Sequence, residues 1–210
     1  HERPGVYSEY DASSVVQGRQ GRKMVGMAAI HATAPAGVPQ TVTSYEGALI
    51  AFGSTGGQDM TELIRLALKN GAAGVVAVPV ADDEGYEAAF AALAAMDDIG
   101  VVICDSVDRE VQQSLRDSAA AASAARRERI AVAAGGAGET VTELLERAKA
   151  LNSERVVLVA PGGTDEEGKA VSGLSLAAAV AGAIAGTTDP ALPLGGAVLS
   201  GLYGLETTYG

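Results

Sequence analysis

The hydrophobic positions fall into two kinds of pattern that succeed one another along most of the chain. Four short apolar runs, 74–80 (GVVAVPV), 99–104 (IGVVIC), 129–133 (RIAVA) and 155–160 (RVVLVA), are continuous in Val, Ile and Ala rather than alternating. Such runs predict strands buried on both faces, as in a parallel sheet. Between them lie stretches with helical spacing and recognisable start signals. Asp59 and Glu62 stand three apart ahead of Leu63, Leu66, Ala67 and Leu68, and Thr140 and Glu143 repeat the arrangement before Leu144, Leu145 and Ala148; both pairs predict capping boxes. Asn70 and Gly71 stop the first of these helices, and 84–96, 109–127 and 172–186 complete the set. Strand followed by helix, repeated, predicts an α/β fold: an open, mainly parallel sheet with right-handed crossovers and helices on both faces.

The first third differs. Residues 23–31 (KMVGMAAIH) can enter the sheet, and 44–52 (SYEGALIAF) predict a short helix with Ser44 as N-cap and Gly53 as its left-handed stop. Ahead of them, RPGVYSEY alternates weakly after a Pro-Gly pair and is followed by the polar stretch SSVVQGRQGR, so residues 1–22 are expected to form an extended N-terminal arm. The expected organisation is therefore an arm over 1–22, an α/β core domain over 23–189, and a Gly/Pro-rich segment over 190–210 that leads into further chain.

Composition narrows the function. The 210 residues are 48% hydrophobic but only 4% aromatic, with no Trp and 27 Gly. The core must rely on close backbone packing rather than on large rings, and the Gly182, Gly186 spacing in 174–186 is read as a close helix–helix approach. That segment is also shorter than the roughly 20 residues of a membrane helix, so no membrane insertion is expected. A formal charge of −11 without a long basic run argues against nucleic acid as a partner. One cysteine, Cys104, excludes an internal disulfide.

Three places invite chemistry. Gly163, Gly168 and Lys169 keep the spacing of a phosphate-binding loop, but Asp165, Glu166 and Glu167 put carboxylates where the anion would sit, and Ala170 replaces the hydroxyl that would hold Mg²⁺. Cys104 ends a predicted buried strand, yet no histidine follows His31 to serve as its base. Gly135, Gly136 and Gly138 make only half of a dinucleotide fingerprint. His1, His31 and one cysteine do not build a metal site. The acids at Asp82, Asp83, Glu84, Asp97 and Asp98 are read as caps and solvated ends. No catalytic, cofactor-binding or metal-binding residue is therefore assigned. A nucleotide-binding or Cys104-dependent α/β enzyme, or a ligand-binding module, remains as the alternative reading.

In order along the chain, the segments Arg3-Pro4-Gly5-Val6-Tyr7, Val42-Thr43-Ser44-Tyr45 leading to Phe52-Gly53, Ala67-Leu68-Lys69-Asn70-Gly71-Ala72, and Val180-Ala181-Gly182 through Thr188-Asp189 resemble the tail sheath proteins of contractile bacteriophage tails and phage-tail-like particles. The resemblance implies a structural subunit and not an enzyme, with no cofactor, assembled with copies of itself as stacked hexameric rings around a tail tube. It implies contraction on a signal from the baseplate, during DNA delivery or membrane puncture. It places the protein in the virion, assembled in the bacterial host cytoplasm. It also implies a C-terminal domain beyond Gly210, and it casts Pro4, Gly5, Val6, Tyr7, Ser8, Glu9 and Tyr10 as a subunit-contact arm. An extended arm with unpaired backbone groups suits that role, since it can add a strand to a neighbour's sheet.

Overall fold

The computed structural model describes residues 23–187 and 193–205; the arm residues Pro4 to Tyr10 lie outside them. A six-stranded sheet has the order β2-β3-β1-β4-β5-β6. Its strands are β1 (Met24–Ile30), β2 (Gln40–Val42), β3 (Val75–Val80), β4 (Ile99–Cys104), β5 (Ile130–Ala134) and β6 (Val156–Val159). All neighbours pair in parallel except β2, which runs antiparallel along β3 at the edge. Each predicted apolar run forms a strand, and β1 takes the centre. The connections are carried by α1 (Tyr45–Phe52), α2 (Met60–Lys69), α3 (Tyr86–Ala94), α4 (Arg109–Ala124), α5 (Val141–Leu151) and α6 (Gly173–Gly186).

Successive strand residues point to opposite faces, so the sheet feeds two cores. Val25, Met27, Ala29, Val75, Ala77, Val101, Ile103, Val132 and Ala134 pack under α1, α2 and α6. Ala28, Val76, Val78, Val80, Val102, Cys104 and Ala131 pack under α3 and α4 on the other side, and α5 lies against α4. Helices on both faces are thus observed as the sequence predicts.

The small residues set how near α2 and α6 come. A Cβ on Gly182 would stand 2.2 Å from the carbonyl oxygen of Ala67, and one on Gly186 would stand 2.8 Å from that of Gly71. Backbone therefore packs on backbone along this seam, at a spacing also known from membrane helices.

The caps follow the sequence with one difference. Ser44 Oγ accepts Gly47 N, and Gly53 ends α1 at φ +68°. Thr140 and Glu143 form a complete capping box. Asp59 accepts the amide of Glu62, but the Glu62 carboxylate turns to Arg65 at 2.6 Å, so only half of that box exists. A bidentate guanidinium partner outcompetes a single backbone amide.

A second, three-stranded sheet joins β7 (Gly163–Thr164), β8 (Ala170–Val171) and β9 (Gly204–Leu205) in the order β8-β7-β9. Leading into β9, residues 193–203 fold back on α2. Asn70 Oδ1 accepts Ser200 N at 2.8 Å, and Asn70 Nδ2 donates to Ser200 O at 3.0 Å.

Candidate functional site

In an open α/β sheet the default ligand position is the crevice at the carboxyl ends of the strands where the chain order reverses. Here that point lies between β1 and β4. It is bridged from within. Asp105, just after β4, accepts the amide of Ile30 at 2.9 Å with Oδ2, while its own amide donates to Ala28 O at 3.3 Å. The Tyr86 hydroxyl donates to Oδ1 of the same carboxylate. Burial raises the Asp105 pKa, an effect that the hydrogen bonds from Tyr86 and Ile30 oppose. The Tyr86 pKa is also pushed up, first by burial and then by the Asp105 charge. Alongside, His31 Nδ1 accepts the amides of Thr33 and Ala34 at 3.3 and 3.0 Å, which leaves Nε2–H to donate to Phe52 O at 2.8 Å. The histidine is held in place as a loop staple.

Cys104 ends β4 at 4% exposure, and its thiol hydrogen-bonds the carbonyl of Ser106 at 3.6 Å. Burial pushes its pKa up to about 12, the opposite of what an activated nucleophile needs. Native protein at neutral pH is therefore expected to leave a thiol-reactive chromophore such as Ellman's reagent unconsumed, with one equivalent consumed after unfolding in guanidinium. Rapid consumption by the native protein would restore Cys104 as a candidate nucleophile.

The 163–169 segment is the turn of the β7–β8 hairpin, not a strand-to-helix phosphate loop. Asp165 Oδ1 accepts the amides of Glu167 and Lys169 at 3.0 and 2.8 Å, and Gly168 makes the turn at φ +77°. The loop's own carboxylate thus takes the turn amides that an anion would need. Gly136 shows the same substitution, because its amide, which a dinucleotide would need, donates to Glu139 at 3.0 Å. Asp105 does likewise at the switch point. At these three places a carboxylate of the chain itself already takes the amides that an anion would need. Magnesium with ATP at millimolar concentration is accordingly expected to leave the melting temperature unchanged; a site loaded to 100 times its Kd would add about 2.7 kcal/mol, so a saturable rise would overturn this reading.

Beneath α4 and α5 lies a buried polar cluster. Arg147, 4% exposed, donates to Glu139 at 3.0 Å, to Val107 O at 2.7 Å and to Gln112 Oε1 at 3.0 Å. Gln112 in turn donates to Ala134 O at 2.8 Å and Ser106 O at 3.1 Å. The hydrogen bond from Arg147 holds the Glu139 carboxyl below the usual glutamate range. Every group is spent on joining the loops after β4 and β5, which rigidifies that end of the sheet. Arg129 does similar service for the end of α3, donating to Leu93 O at 2.9 Å and Met96 O at 2.8 Å.

A cleft of about 460 Å³ runs between α2 and the β7–β8 hairpin, with Tyr45, Arg65, Lys69, Glu166, Lys169 and Tyr203 in its walls. Arg65 is paired with Glu62, and Tyr203 donates to Glu166. Among the described residues no cluster of His, Cys, Asp and Glu could hold a metal ion, and no helix is long and apolar enough to cross a membrane.

No protein-family model and no curated protein matches the chain. Solved structures do. The sheath tail protein of Desulfitobacterium hafniense superposes over 87% of this chain and 62% of its own, with a TM-score of 0.64 and 14% identity. The helical sheath of the anti-feeding prophage in its contracted state covers 100% of this chain and 60% of its own, with a TM-score of 0.65 and 21% identity. The sheath tail protein of Listeria innocua covers 80% and 57%, with a TM-score of 0.60 and 12% identity. The chain thus has the fold of contractile tail sheath proteins and spans about 60% of the length of those it matches.

Proposed function

We propose that the chain is the larger part of a subunit of a contractile tail sheath, of a phage or a phage-tail-like particle, and that it acts as a structural protein rather than as an enzyme. The observation that carries this reading is the similarity, over the whole of the chain, to a sheath from an assembled particle. The site geometry agrees with it, since the amides at the three anion positions are satisfied by Asp105, Glu139 and Asp165, leaving a scaffold whose business is with other surfaces. In this reading copies meet in stacked hexameric rings around a tail tube, engage a baseplate at one end, and reside in the virion after assembly in the host cytoplasm. Pro4, Gly5, Val6, Tyr7, Ser8, Glu9 and Tyr10 supply the arm that adds a strand to a neighbouring subunit. Contraction then draws on metastable packing between subunits, not on a bound nucleotide.

The test is negative-stain electron microscopy of the product of the complete reading frame, beside the 210-residue chain. Tubes or stacked rings are expected from the former. A complete product that stays a dispersed monomer at every salt concentration tried would overturn the proposal. Deleting residues 1–10 from an assembling form is expected to abolish the tubes, and tubes that persist would remove the arm from the contact.

A further inference from the structure

α1 is apolar on nearly all sides, yet it covers only Ala48 and Phe52 in the core. Its outer side leaves Leu49 at 36% and Ile50 at 88% exposed, with Glu46 one turn before Ile50. A helix apolar all round belongs in an interior. α1 packs on β2 and α2, at one edge of the sheet. The opposite edge, where α5 leads into β6, carries a second bare stripe: Val141 at 50%, Leu145 at 56%, and exposed Lys149 one turn further on. Neither Glu46 nor Lys149 has an ion pair among the described residues.

We propose that these two faces bind each other between copies of the chain, α1 of one copy lying antiparallel on α5 of the next. The spacings match. Glu46 to Ile50 and Leu145 to Lys149 are each four residues, one helical turn, so a single crossing sets Ile50 against Leu145 and Glu46 against Lys149. Charge selects this pairing over α1 on α1, which would put two unpaired Glu46 carboxylates in one contact and leave α5 bare. Because the two faces are different and sit at opposite edges, the contact is heterologous and repeats from copy to copy as a ring or an open helix. The inference takes from the sheath reading only that the partner is a second copy.

Disulfide trapping tests it, with Cys104 buried and out of the exchange. Ile50→Cys in one copy and Leu145→Cys in another, both at exposed positions, are expected to cross-link at least ten times faster than Ile50→Cys with the control Glu87→Cys, an exposed position of α3. The double variant Ile50→Cys, Leu145→Cys should give a ladder of oligomers. Adding Glu46→Lys to the first partner should slow trapping, and adding Lys149→Glu to the second should restore it. Trapping no faster than the control, or a charge swap that does not restore it, overturns the contact. Tubes from the complete product without trapping would sink the contact alone, whereas trapping without tubes would sink the sheath reading and leave the contact standing.

Discussion

Gly182→Ala is expected to destabilise the protein by roughly 2 to 3 kcal/mol, the usual scale of overpacking a tight interior. The new Cβ would fall 2.2 Å from Ala67 O and 2.9 Å from Ala67 Cα. These are backbone atoms of α2, so no side chain can swing aside; α6 must move away from α2 and loosen the core that both share with β1 and β4. Helix propensity alone predicts the opposite, a gain of about 1 kcal/mol on replacing Gly by Ala in a helix interior. The two accounts differ in sign, and urea denaturation of the two proteins decides between them. For a domain of this size the melting temperature should fall by about 5 to 10 °C. A variant as stable as the parent would mean that the α2–α6 seam has slack that the packing does not show.

Arg147→Met is expected to cost about 3 to 5 kcal/mol at neutral pH, the usual penalty for removing one partner of a buried ion pair. The loss reaches beyond Glu139, because Val107 O and Gln112 Oε1 lose their donor as well. The cost should depend on pH in a defined direction. Glu139 titrates lower in the folded state than its ordinary value of 4.5, so the unfolded chain takes up the proton first as the solution is acidified. The stability from this pair is fully present above about pH 4.5 and is lost as pH falls through the folded value. Denaturation curves of parent and variant, measured at pH 7 and pH 3, should therefore show a gap that narrows on acidification. A constant gap would assign the effect to packing of the arginine stem rather than to its charge.

The central sheet was legible because its signals are local. The Val-rich runs, the caps at Ser44, Asp59 and Thr140, and the stop at Gly53 each declare themselves within a few residues. The edge strand β2 was not predicted, since three residues, QTV, carry no period long enough to read. The small sheet was hidden for the same reason, its strands being two residues each. The candidate site was legible mainly as a set of vetoes: the acids in the Gly163 loop and the missing base for Cys104 could be read directly. How the vetoes are executed could not. Arg147 sits at a position that the helix pattern marks as polar, and its burial depends on Gln112 of α4 and on Val107 and Glu139 arriving from two loops. Arg129 opens the apolar run RIAVA, a position that gives no sign that its side chain, 2% exposed, serves the end of α3. The pairing of Asp105 with Ile30 joins residues 75 apart, which no local pattern announces.

The central place of β1 bears on how the chain is made. Val25 pairs with Val75 on one side and with Val101 on the other, so the strand that organises the sheet leaves the ribosome long before its second neighbour. At roughly 5 to 20 residues per second, the intervening stretch of about 75 residues takes about 4 to 15 seconds to synthesise. For that interval MVGMAAI is a nascent apolar segment with no partner on the β4 side, open to holdase chaperones and to other nascent chains on the same polysome. Translation speed through residues 31–100 therefore sets how long this apolar segment waits for its second neighbour.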